Sequence, residues 1–77
     1  MSGTPGATQR TGRKEAARLE RAIEKLGQQE AALYEQMAAS GTDAGRLGQL
    51  QDELTALGAE RDALEAAWLE VSEALEA

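Results

Sequence analysis

The sequence contains no cysteine and no histidine, and these two absences exclude several kinds of chemistry. Disulfide bonds, Cys/His zinc sites, cysteine nucleophiles and histidine general bases all need residues that this chain lacks. Phenylalanine is also absent, while tryptophan, tyrosine and proline occur once each. We therefore expect no catalytic residues, no metal site and no enzyme activity in this chain, and only a small hydrophobic core.

Long hydrophobic runs are missing as well. No apolar segment approaches the roughly 20 residues that a membrane-spanning helix needs, and the first residues lack the apolar core of a secretory signal. The stretch "GTDAGRLG" lacks the Gly-Lys-Ser/Thr ending of a phosphate-binding loop. These features predict a cytoplasmic location, no contact with membranes and no cofactor in this chain.

The charge is unevenly distributed along the chain. The 77 residues carry a formal net charge of −6. Residues 1–28 contain six basic and three acidic side chains, whereas residues 29–77 contain two basic and eleven acidic ones. The first part therefore has a net charge of +3 and the second part −9. Such asymmetry suggests an electrostatic function for the basic part.

The pattern of apolar residues predicts an all-α fold, a two-helix antiparallel coiled-coil hairpin. Residues 1–12, "MSGTPGATQRTG", have no apolar period and are expected to form a disordered arm or linker. Residues 13–77 form the hairpin, with helices over about 14–39 and 43–76 and a turn over about 40–42. Gly41 can end the first helix, and Thr42 or Asp43 can cap the second. The heptad positions a and d are Ala16, Leu19, Ile23, Leu26, Glu30, Leu33 and Met37, then Leu47, Leu50, Leu54, Leu57, Arg61, Leu64, Trp68, Val71 and Leu75.

A turn near Asp43 sets the register of the two helices. It places Trp68 over Leu19, as a packing residue that closes the open end of the hairpin. The a and d residues of the two helices form the contact seam between them. The register brings its two charged residues, Glu30 and Arg61, into adjacent layers, where pairing would reduce the cost of burying them. The alternative is that each of them reaches solvent past its small neighbours.

The same register makes two further predictions about residues that lie next to the a and d positions. Gly27 and Gly58 would lie opposite each other, marking either a close approach of the helices or a soft point in the rod. Glu20 would face Glu65, which is mildly unfavourable. A parallel dimer of the second helix would stack Arg61 on Arg61 and Trp68 on Trp68, so an intramolecular hairpin is preferred, and a homodimer of hairpins stays open.

Basic residues recur on one face of the first helix. Arg10, Lys14, Arg18, Arg21 and Lys25 follow one another at spacings of four, four, three and four residues, over about 22 Å, and we call them the basic face. With the neighbouring Arg13 they are the candidate nucleic-acid-binding residues, contacting backbone phosphates. No aromatic residue lies near the basic face, so base stacking is not expected. The alternative is an ordinary solvated face with local glutamate partners.

Three stretches resemble a known module: "RKEAARLERAIEKL", "EAALYEQMAA" and "RLGQLQDELTALGAERDALEAAWLEVSEAL". Together they are similar to the C-terminal coiled-coil domain of ABC-F family ATPases, especially Uup-like members. The similarity covers roughly residues 13–76, and "AAWLEVSEAL" is its most specific part. The turn "SGTDAG" departs from the Asp-Pro and aromatic residues common in that family, which leaves any function of the loop tip open.

The resemblance implies a cytosolic parent protein whose two cassettes bind ATP and Mg and lie outside this chain. It also implies DNA binding, or work on the ribosome, for the parent. Combined with the basic face, it predicts an accessory domain that binds DNA or ribosomal RNA. The alternative function is a structural hairpin that mediates protein interaction or dimerisation without binding nucleic acid.

Overall fold

The computed structural model describes residues 5–76 of the chain, with side chains from residue 10 onward. Two α-helices account for nearly all of this part: α1 spans Pro5–Ala39 and α2 spans Ala44–Glu76. The predicted helical hairpin is confirmed, and its turn occupies residues 40–42, as the sequence predicts.

The start of α1 differs from the sequence prediction. The helix begins at Pro5 instead of near residue 14, so residues 5–12 of the predicted arm are helical. Proline is compatible with the first helical turn, because its fixed φ suits a helix and its missing N–H has no helical partner there. Residues 1–4 of the predicted arm lie outside the described residues.

Local chemistry explains where the turn occurs. Gly41 has a φ of +59°, in the left-handed region that ends helices and that glycine adopts without strain. The Asp43 carboxylate then accepts a hydrogen bond from the Arg46 backbone N–H at 3.0 Å. This contact caps α2, because it satisfies one of the free N–H groups of its first turn.

Contacts between the helices establish the antiparallel register. They run in order from the open end of the hairpin to the turn: Gly12 with Leu75, Glu20 with Trp68, Glu30 with Arg61, and Gln36 with Arg46. Gly12 and Leu75 continue the heptad layers that the sequence predicts for residues further along the rod. The two helices therefore stay in register over the length of the described chain.

The hydrophobic core is narrow and is best packed near the turn. Leu50 is fully buried, and it clusters with the buried Leu33 and Leu54 and with the half-buried Met37 and Leu57. On α1 the seam stays buried towards the open end, at Leu19 and Leu26. On α2 the seam residues beyond Leu57 are only half-buried: Arg61, Leu64, Trp68, Val71 and Leu75.

The molecule is a rod with principal extents of 64 × 14 × 14 Å. Its accessible surface is 5663 Å², against about 4,500 Å² for a compact protein of 8.2 kDa. Two helices can shield only one side of each other. Every other side of both helices faces solvent and is open to a partner.

Glycines report where the helices approach closely. A Cβ atom on Gly12 would lie 2.7 Å from Cδ2 of Leu75, which is too close for real atoms, so the glycine allows this contact. Gly27 and Gly58 have nothing within 4 Å of such a Cβ. The proposed close approach at Gly27 and Gly58 is therefore wrong, and the tight contact lies at the open end instead.

Candidate functional site

All five residues of the basic face are exposed. They lie on one continuous helix, because α1 begins at Pro5 and includes Arg10. At about 100° per residue their side chains fall within an arc of about 80°. Arg13 is also exposed, and it lies about 60° outside this arc. The helix therefore presents a row of five positive charges on one face, with a sixth beside it.

The basic face points away from α2. The buried leucines of α1, Leu19, Leu26 and Leu33, centre on a direction about 120° from the middle of the row. No acidic residue of the described part of α1 falls within the arc of the basic face. Apart from the five cations, the residues of α1 within this arc are glutamine or alanine. A long ligand can therefore lie along this row without meeting a carboxylate in the row itself.

Arg18 is the one member of the basic face that has an ionic partner in the described chain. Its Nε donates a hydrogen bond to Oε2 of Glu15 at 3.1 Å, and its Nη2 contacts the other oxygen, Oε1. The hydrogen bond from Arg18 holds the pKa of Glu15 below its usual value, and the same bond raises the pKa of Arg18. For the other four cations, the described residues supply no ion-pair partner within 4.0 Å.

The opposite side of the open end is acidic. The register places residues 62–76 of α2 beside residues 10–25 of α1. This part of α2 contains five acidic residues and no basic one, all of them exposed: Asp62, Glu65, Glu70, Glu73 and Glu76. Asp62, Glu70 and Glu73 lie on the outer side of α2, at about 120–160° from the seam. One end of the rod is therefore positive on one side and negative on the other.

Neither aromatic residue adds a stacking surface to the basic face. Tyr34 is 61% exposed, but it lies nine positions after Lys25, which places it on the other side of α1, about 180° from Lys25. Trp68 is half-buried, and its Nε1 donates a hydrogen bond to Oε1 of Glu20 at 2.9 Å. The described surface next to the row offers charges and no rings.

The charged residues of the seam form a small network. Nη1 of Arg61 lies 2.9 Å from Oε1 of Glu30, so the two residues pair and do not reach solvent separately. Nε of Arg61 is buried and has no hydrogen-bond partner among the described residues; it lies 3.5 Å from Oε1 of Glu65. This network holds the two helices together at mid-rod and lies away from the basic face.

The predicted repulsion between Glu20 and Glu65 is resolved by other partners. Glu20 accepts the hydrogen bond from Trp68, and Glu65 is drawn towards Arg61, four residues earlier on its own helix. The sequence prediction places Trp68 as a packing residue alone, so it does not include this hydrogen bond. The sequence does contain a signal for it: Glu20 follows Leu19, the residue over which Trp68 is placed, and a partly buried tryptophan N–H usually finds an acceptor.

Two further contacts, one beside the basic face and one in the seam, are not predicted from the sequence. The sequence pattern alone does not single out Glu15 among the acidic residues near the basic face, although its spacing of three residues from Arg18 allows a direct pair on a helix. Gly12 lies within the predicted arm, although it is one heptad before Leu19 and so belongs to the seam. Both signals are present in the sequence but are individually weak.

Across residues 5–76, neither helix combines the length and the apolar character that a bilayer span requires. The carboxylates of the same residues form no group of three or more that could hold a metal ion.

Comparison with known protein families places most of the chain in one family profile. The family profile described as "ABC transporter C-terminal domain" matches residues 8–73, which is most of the chain and all of the hairpin except the two helix ends. The chain matches none of the curated proteins and none of the solved structures with which it was compared.

Proposed function

The chain belongs to the ABC transporter C-terminal domain family, and from this premise we propose that it is a nucleic-acid-binding accessory domain of an ABC-F type ATPase. ATP binding and hydrolysis would belong to cassettes elsewhere in the parent protein, where ATP and Mg bind. The hairpin would contribute binding alone, to DNA or to ribosomal RNA.

The observation that carries this proposal is the basic face itself. Five exposed cations share an arc of about 80° on one continuous helix, and no carboxylate lies within that arc in the described residues. Duplex DNA carries about one negative charge per 1.7 Å of helix axis, so a row of about 22 Å can contact several phosphates at once.

The chemistry of the row indicates how it would bind. Lysine and arginine side chains contact phosphates without reading bases, and no ring near the row can stack on a base. The mechanism is therefore electrostatic and tolerant of sequence, with counterions released as phosphates are neutralised. The acidic outer side of α2 repels the same ligand, so only the α1 side would approach it.

We expect the chain to bind a fluorescently labelled 30-base-pair DNA duplex at low salt, and an RNA duplex of the same sequence. In the triple variant Lys14→Gln, Arg21→Gln, Lys25→Gln, the slope of log affinity against log salt should fall by about 3, because each lost phosphate contact removes about 0.9. Fluorescence anisotropy between about 20 and 150 mM salt measures this slope.

A matched control separates the basic face from the net charge. Ala59→Glu, Ala63→Glu and Ala66→Glu change three exposed residues of α2 and lower the net charge by the same three units. This control should keep most of the native slope. Equal losses in the two variants would contradict the proposal. No binding by the native chain, together with a dimer in light scattering, would instead favour a protein-interaction hairpin.

A further inference from the structure

Arg18 differs from the other cations of the basic face because its guanidinium is already paired with a carboxylate. Glu15 contacts Arg18 with both of its oxygens, one to Nε and one to Nη2. The two side chains stay accessible, at 62% for Arg18 and 42% for Glu15. Arg10, Lys14, Arg21 and Lys25 have no comparable contact among the described residues.

The contact uses the same donors that a phosphate would use. Arginine recognises carboxylates and phosphates with the same planar pair of N–H groups, so a phosphate that approaches Arg18 has to displace Glu15. The hydrogen bond from Arg18 lowers the pKa of Glu15. An exposed glutamate is ionised at neutral pH in any case, so this carboxylate competes there for the donors of Arg18.

The position of Arg18 makes this competition important. Arg18 is the middle residue of the five, with Arg10 and Lys14 before it and Arg21 and Lys25 after it. If Arg18 is held by Glu15, the row consists of two separate pairs of free cations. If Arg18 is free, the row is continuous over its whole length.

We propose that Glu15 limits the affinity of the basic face for nucleic-acid phosphates by holding Arg18. The basic face of the native chain then binds through its four other members. This inference rests on the function proposed above. It assigns Glu15 as the residue that sets binding strength, and it makes Arg18 a reserve contact that is used only when Glu15 is neutralised.

Glu15→Gln tests the proposal, with Glu24→Gln as its control. Both remove one negative charge from an exposed or half-exposed position of α1, and Glu24 has no ion-pair partner among the described residues. Glu15→Gln should bind the 30-base-pair duplex more tightly than Glu24→Gln by up to about fivefold, the range for releasing an exposed ion pair.

The Arg18→Gln substitution in two backgrounds supplies a second readout. In the native chain it should weaken binding less than Arg21→Gln does, and lower the salt slope by less than about 0.9. In the Glu15→Gln background it should weaken binding as much as Arg21→Gln does in the native chain, and lower the slope by about 0.9. The non-additivity of the two substitutions measures the coupling directly.

The results separate this inference from the function on which it rests. If the native chain binds and Glu15→Gln equals Glu24→Gln, or if Arg18→Gln costs the native chain as much as Arg21→Gln, the role of Glu15 is rejected and the binding function stands. If neither the native chain nor Glu15→Gln binds the duplex, both proposals fail.

Discussion

Arg61 brings a positive charge into a seam that is otherwise mostly aliphatic. Its partner Glu30 is only 12% exposed, while Arg61 itself is 38% exposed. The arginine therefore keeps part of its hydration and the glutamate depends on the pair. Removing the arginine leaves a nearly buried carboxylate without a partner, whereas removing both residues leaves only apolar atoms in the layer.

We expect Arg61→Leu to lower the free energy of unfolding by about 1–3 kcal/mol, because the Glu30 carboxylate loses its hydrogen bond. The double variant Glu30→Leu, Arg61→Leu should regain that loss or exceed the native stability. Urea unfolding followed by circular dichroism measures both. A double variant as unstable as Arg61→Leu alone would show that the unpaired Glu30 carboxylate is not the cause of the lost stability.

At the scale of the elements, the same chemical change should have opposite effects at two glycines. Gly27 lies inside α1, and a Cβ there meets nothing within 4 Å, whereas Gly41 adopts a φ of +59° in the turn. Gly27→Ala should raise the free energy of unfolding by up to about 1 kcal/mol through helix propensity. Gly41→Ala should lower it by about 1–2 kcal/mol through backbone strain.

Thermal melting of the two variants checks this prediction, since 1 kcal/mol corresponds to a shift of about 4–8 °C for a domain of this size. Gly48→Ala, another glycine whose Cβ would meet nothing within 4 Å, serves as a second test of the helix term. A Gly41→Ala variant that melts above the native chain would contradict the account of the turn.

The sequence predicts some elements well because their signals are local. The turn follows from Gly41 and Asp43, which act on their own backbone neighbours, and the seam follows from the heptad repeat. The start of α1 cannot be predicted in this way, because glycine and threonine form helices poorly. The compensating contact comes from Leu75, at the far end of the chain. Local propensity cannot report a contact of that kind.

The candidate site was predictable to the same extent. Helical spacing alone puts the five cations on one face, because the angle per residue is fixed. Which carboxylate engages which cation depends on side-chain rotamers, and Glu15, Glu20 and Glu24 are all near the row in sequence. The structure distinguishes them: Glu15 pairs with Arg18, and Glu20 bonds to Trp68.

At the scale of the whole molecule, the rod has two electrostatic sides. The α1 side of the open end carries the basic face, and the α2 side carries five acids and no base over residues 62–76. The net charge of −6 would by itself repel a nucleic acid. Binding would therefore depend on orientation, with the basic face towards the phosphates and α2 towards solvent.

The most direct test of this account is a titration of the ¹⁵N-labelled chain with a DNA duplex, followed by two-dimensional NMR at low salt. The account predicts that backbone amide shifts concentrate on residues 10–25 of α1 and stay small on residues 62–73 of α2, which lie at the same level of the rod. Comparable shifts on both helices, or shifts centred on the exposed Tyr34 and Leu69, would contradict it.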